Sequence, residues 1–158
     1  MTQLPQLVAL VRANPDVAIL VDHLGGPLDA GPYAGQRAAS VAALQASFRE
    51  LARFERVHLK LGGLGMGCFG SSWAARPGTV SSQEVADEWG DLVRWCIDCF
   101  GPSRCMFESN FPVDRPSVPY VVLWNAFKRM TAGRYSDAER ADLFHGTASR
   151  FYRLGDRS

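Results

Sequence analysis

The 158-residue sequence lacks any apolar run able to cross a bilayer; its longest, such as Val17 to Val21, fall far short of the ~20 residues a span requires. No basic segment precedes an apolar one at the N-terminus, so no export signal is read and the cytoplasm is the expected compartment. Net charge is scarce too. At +1 the chain carries no field that would draw nucleic acid or an anionic membrane, which points to a small molecule or another protein as partner. Histidine occurs three times and never as His-x-His. Of the four cysteines, Cys96 and Cys99 have CxxC spacing, but they sit within the apolar-periodic segment Trp89 to Phe100 and no second pair accompanies them. Buried thiols in a reduced compartment are expected rather than structural zinc. The glycine-rich stretch Gly62 to Gly78 lacks the GxxxxGK[ST] order of a phosphate loop. No fixed period, low-complexity segment or linker divides the chain, so residues 1–158 read as a single domain.

What is present alternates helix and strand. Leu4, Leu7, Val8 and Val11 repeat at helical spacing up to Asn14-Pro15, and the β-branched run Val17 to Val21 follows as a strand covered on both faces. A helix over Gln36 to Phe54 leads to a second strand, Val57 to Leu61, which the glycines break off. Ser81 or Ser82 caps a helix to Phe100, and Arg104 to Ser109 forms the third strand. Helices near Tyr120 to Thr131, after the capping box Ser136 to Glu139, and over Thr147 to Leu154 complete the chain. This order requires right-handed parallel crossovers, an α/β arrangement.

The third strand draws attention because it ends on polar side chains. Alternation puts Met106, Glu108 and Asn110 on one face, and Pro112 stops the strand. In α/β proteins the C-terminal ends of strands are where ligands bind. His23 stands at the end of the first strand, in phase with Ile19 and Val21. Lys60, in phase with His58, needs a partner to tolerate burial, and Glu108 is the candidate. Phe69 and Trp73 read as apolar cover for a ligand, His145 as structural, and Arg104 and Arg115 as surface charges. Asp114 reads either as a surface charge or as a carboxylate for substrate.

Four ordered blocks resemble a known family: Pro15-Asp16 through Asp22-His23-Leu24-Gly25-Gly26-Pro27, Val57 to Leu64, Arg104 to Val113, and Thr147 to Leu154. They are similar to the C-terminal part of the amidohydrolase-related TIM-barrel hydrolases, grouped with the 2-pyrone-4,6-dicarboxylate and sugar lactonases and aminocarboxymuconate-semialdehyde decarboxylase. The resemblance implies a (β/α)8 barrel, which needs about 250 residues. The chain would supply about three βα units with parallel strands plus the terminal helices, the N-terminal strands being missing. An incomplete sheet of this kind is expected to form a homo-oligomer or to take a complementing chain.

The implied activity is hydrolysis of a lactone or related cyclic ester or amide of a small carboxylated or sugar-derived molecule. The alternatives are a decarboxylase of the same superfamily or an inactive fragment that serves as an interaction module. His23, Glu108 and Asn110 would be catalytic, and Lys60 and Asp114 would bind substrate. The resemblance leaves the cofactor open: a divalent metal such as zinc would have His23 as its one candidate ligand, and two departures weaken it, since the family's first-strand His-x-His is absent and Asn110 stands where members commonly carry an aspartate.

Overall fold

The computed structural model describes residues 3–155. Helix α1 (Leu4–Ala13) starts with Pro5 in its first turn, where the missing N–H costs nothing, and buries Leu4, Val8 and Val11. Strand β1 (Ile19–Val21) is shorter than the apolar run suggests. Val17 donates its N–H to Asn14 in a turn and is 53% exposed, so the strand starts two residues later. Helix α2 (Arg37–Leu51), strand β2 (Val57–Leu61), helix α3 (Ser82–Phe100) and strand β3 (Cys105–Phe107) follow. The chain closes with α4 (Tyr120–Thr131), α5 (Asp137–Ala141), a wide π-type turn over Asp142–Gly146, and α6 (Thr147–Tyr152).

The three strands form one parallel sheet in the order β1-β2-β3, with Val21 opposite Leu59 and Leu61 opposite Phe107. Paired residues of a parallel sheet share a face, so Val21, Val57, Leu59, Leu61, Cys105 and Phe107 project together toward the helices. All are buried. Phe107 stacks on Phe127 of α4 at 4.3 Å between ring centroids, and Phe48 of α2 meets Phe100 of α3 edge-on at 5.3 Å. Each such side chain contributes about 1.5–3 kcal/mol by leaving water. The opposite face carries Leu20, His58, Lys60 and Met106. This is the side that a closed barrel would enclose.

Two capping boxes fix helix starts as the sequence indicates. Ser81 accepts from the Glu84 N–H while Glu84 reaches back to the Ser81 N–H, and Ser136 and Glu139 do the same for α5. Strand β3 departs from expectation at both ends. Arg104 lies in the turn Pro102–Arg104, and beyond Phe107 only the Glu108 N–H, donating to the Leu61 carbonyl, continues the ladder. Nor is Arg104 a surface charge. Its guanidinium donates to the carbonyls of Phe100, Phe54 and Ala52 at 2.8, 2.9 and 3.0 Å, tying the C-terminal ends of α2 and α3 beneath the sheet. Cys96 and Cys105 are buried free thiols, Cys99 is partly buried and Cys68 is exposed; burial pushes the Cys96 thiol well up. Among the described residues no helix is long and apolar enough to cross a membrane.

Candidate active site

Polar side chains converge above the C-terminal ends of the three strands. The chain leaves β1 at Asp22 and turns sharply: His23 and Leu24 both adopt left-handed backbone, with φ of 50° and 51°. Leu24 drops into the core with no exposed surface. The phase of Ile19 and Val21 faces the helices, not the lumen, so alternation alone would have buried His23. It is the turn that carries the imidazole over the strand ends.

His23 Nδ1 lies 2.6 Å from Glu108 Oε1, and the same oxygen accepts the His23 backbone N–H at 3.1 Å. Glu108 Oε2 is 3.5 Å from Lys60 Nζ, the pairing expected from the sequence. A second partner was not foreseen: Asp22 Oδ1 stands 3.2 Å from Nζ. Asp22 is two residues past Leu20 and so in phase with it, at the strand end adjoining Lys60, and that placement was its only signal. Burial would lower the Lys60 ammonium, but the Tyr152 hydroxyl, Asp22 and Glu108 together push it up, so it is a fixed cation.

Asn110 does not share the face of Glu108. Its backbone is left-handed (φ 53°), which ends the alternation, and its amide donates to Asp114 Oδ1 at 2.8 Å. Asp114 is neither a surface charge nor open to substrate. It is fully buried, and its Oδ2 accepts the Gly65 N–H at 3.1 Å. Burial raises its carboxyl above the ordinary range, against the opposing pull of these two hydrogen bonds. Phe69 and Trp73 are likewise core: 2% and 5% exposed, with Phe69 against Trp89 of α3. His145 is exposed and hydrogen-bonds Ser149.

The glycines after β2 have a role that composition did not reveal. A Cβ on Gly62 would fall 2.5 Å from the Glu108 carbonyl oxygen and nearer still to its Cγ. On Gly63 it would meet His23 Cβ at 3.1 Å, and on Gly65 it would meet Ser117 Cβ at 2.9 Å and Asp114 Cγ at 3.2 Å. The bare backbone at Gly62, Gly63 and Gly65 is therefore the surface against which Glu108, His23 and Asp114 pack.

These donors do not suit a divalent cation. Glu108 is engaged by His23 and by the cationic Lys60, both Asp114 oxygens are occupied, and Asn110 turns its NH2 toward Asp114. Among the described residues no group of three or more His, Cys, Asp or Glu is disposed to hold a metal.

Comparison with known proteins agrees with this architecture. An uncharacterised protein of Sinorhizobium fredii is 37% identical over 155 residues, 96% of this chain and 44% of its own length. An L-fucono-1,5-lactonase of Burkholderia multivorans is 32% identical over 152 residues, 96% of this chain and 48% of its own. The crystal structure of an amidohydrolase from Burkholderia multivorans with bound zinc superposes with a TM-score of 0.78 at 30% identity, over 96% of this chain and 49% of that one. The chain thus spans about half the length of the relatives it matches. The family model described as Amidohydrolase matches residues 1–154, and the chain belongs to that family.

Proposed function

We propose that this chain contributes the C-terminal half of a hydrolase that opens a small lactone, with His23 as the general base. The contact between His23 Nδ1 and Glu108 Oε1 carries the reading. An ionised carboxylate only accepts, so Nδ1 holds the proton and Nε2 presents its lone pair. No described residue hydrogen-bonds Nε2, and the side chain is 35% exposed. Nε2 would take a proton from water as its oxygen bonds to the lactone carbonyl carbon. The ring C–O bond then breaks, and the imidazolium returns the proton to the leaving alkoxide, giving the hydroxy acid. Glu108 holds the ring and offsets its transient charge, while Lys60 fixes Glu108.

The charge balance bears on the substrate. Lys60 is shared by Asp22 and Glu108, so the ammonium that stands among the described residues at the strand ends is already paired with two carboxylates and is not free for an anionic substrate. An uncharged, hydroxyl-rich lactone fits better than a dicarboxylate, in keeping with the name of the Burkholderia multivorans relative. The test is hydrolysis of a panel of neutral sugar lactones and carboxylated lactones, followed by acid release, with His23→Ala as control. Equal rates in variant and wild type would sink the role of His23.

A second reading follows from the sheet. Both β1 and β3 have an unpaired edge among the described residues, and the relatives are about twice as long. The remaining strands of a barrel, on whatever polypeptide, would cover the face of Leu20, His58, Lys60 and Met106 and add further groups to the site. Sedimentation of the purified chain tests this: a stable monomer without exposed apolar surface, judged by dye binding, would count against it.

A further inference from the structure

The buried carboxylate of Asp114 has no part in the chemistry proposed above, yet it lies where the loops after β2 and β3 meet. Its Oδ1 takes the Asn110 amide from the loop after β3, and its Oδ2 takes the Gly65 N–H from the loop after β2. Its own carbonyl accepts the N–H groups of Ser117 and Val118, so the turn around it is closed from both sides. Gly65 in turn is three residues from Gly62, whose backbone abuts Glu108, and two from Gly63, whose backbone abuts His23. A displacement of Gly65 away from Asp114 therefore moves the wall on which the His23–Glu108 pair rests.

We propose that Asp114 is a positioning residue: by gripping the Gly65 N–H, it seats the Gly62–Gly65 backbone against His23 and Glu108 and holds their contact in register. The proposal rests on reading that pair as the reactive one. Asn110 is part of the same device. Its NH2 donates to Asp114, as a carboxylate at 110 could not, because two ionised carboxyls would face each other there. The left-handed backbone at Asn110, a conformation that asparagine tolerates, aims the amide at its partner.

The test uses the full chain and two independent readouts. Amide and imidazole NMR signals of wild type, Asp114→Ala and Asp114→Asn report the clamp whether or not any lactone is hydrolysed. Steady-state kinetics on whichever lactone the wild type accepts report its consequence. Failure of the lactonase reading would therefore leave the NMR arm intact. In Asp114→Ala the Gly65 amide and the His23 ring signals are expected to move together, while signals of α3 stay in place. kcat should fall by about tenfold to a hundredfold, the scale of a small misplacement of a reacting group, with KM little changed. Asp114→Asn keeps the volume and one acceptor oxygen, and should recover part of both. If Asp114→Ala fails to fold, Asp114→Asn carries the same comparison alone. The proposal is overturned if the Gly65 amide moves while the His23 ring and kcat stay at wild-type values, or if KM rises and kcat does not fall.

Discussion

His23 Nδ1 and Glu108 Oε1 lie 2.6 Å apart although 85 residues separate them in the chain. The contact exists because β2 lies between β1 and β3 and is bare glycine just beyond its end, so that residues from the two outer strands can meet over it. It sets the first expectation. Glu108→Gln should leave the His23 ring with a partner able to donate as well as accept, and should lower lactone hydrolysis by about 10²-fold or more, with far-ultraviolet circular dichroism unchanged. A Gln variant as fast as wild type would remove Glu108 from the mechanism.

Lys60 separates two carboxylates, Asp22 at 3.2 Å and Glu108 at 3.5 Å. Lys60→Met should destabilise by about 1–2 kcal/mol, less than the 3–5 kcal/mol of a fully buried pair because Asp22 is about half-exposed. Urea unfolding measures it. The Lys60→Met, Asp22→Asn double variant should recover part of the loss, since fewer like charges remain unpaired.

Gly62→Ala and Gly65→Ala should each cost about 1–3 kcal/mol, the scale of forcing extra atoms into a filled space. Gly67→Ala is the control: a Cβ there meets nothing within 4 Å and the residue carries no positive φ. Comparable loss at Gly67 would mean that loop stiffness, not close approach, explains the glycines. Thermal midpoints of the three variants decide between them.

Acid titration separates two carboxyls of opposite sign. The Ser81 backbone N–H and the Arg76 guanidinium hold Glu84 down at about 2, against an ordinary 4.5. Its contribution is therefore present above pH 4.5 and lost as pH falls toward 2. Wild type should melt above Glu84→Gln near neutrality and converge with it at acid pH. Asp114 is raised by burial, so it binds its proton more firmly folded than unfolded, and its contribution grows as pH drops through the raised value.

The three strands could be read from the sequence because the signals are local: Val57-His-Leu-Lys-Leu61 alternates, and a cap at Ser81 or Ser82 and the box at Ser136 announce helix starts. The pairing of Lys60 with Glu108 followed from one further step, that a lysine within a central strand needs a counter-charge. Asp114 was beyond reach, because its burial depends on Gly65, 49 residues away, and nothing in Val-Asp-Arg-Pro distinguishes a buried aspartate from a surface one. Asn110 failed for a different reason. Alternation assumes extended backbone, and the left-handed turn at Asn110 breaks that assumption. For His23 too, the left-handed turn at His23 and Leu24, and not alternation from Ile19 and Val21, sets the position of the imidazole beside Glu108.

Arg104 closes the opposite end of the sheet by taking three carbonyls from the ends of two helices. A planar guanidinium can satisfy three acceptors at once, whereas an ammonium of similar length cannot match that fan of directions. The consequence is a division of labour along the strand axis that an engineer could use. Changes in the loops at the rim where His23 meets Glu108 should leave the base undisturbed, provided that the Gly62–Gly65 backbone stays, whereas Arg104→Lys should loosen both helices.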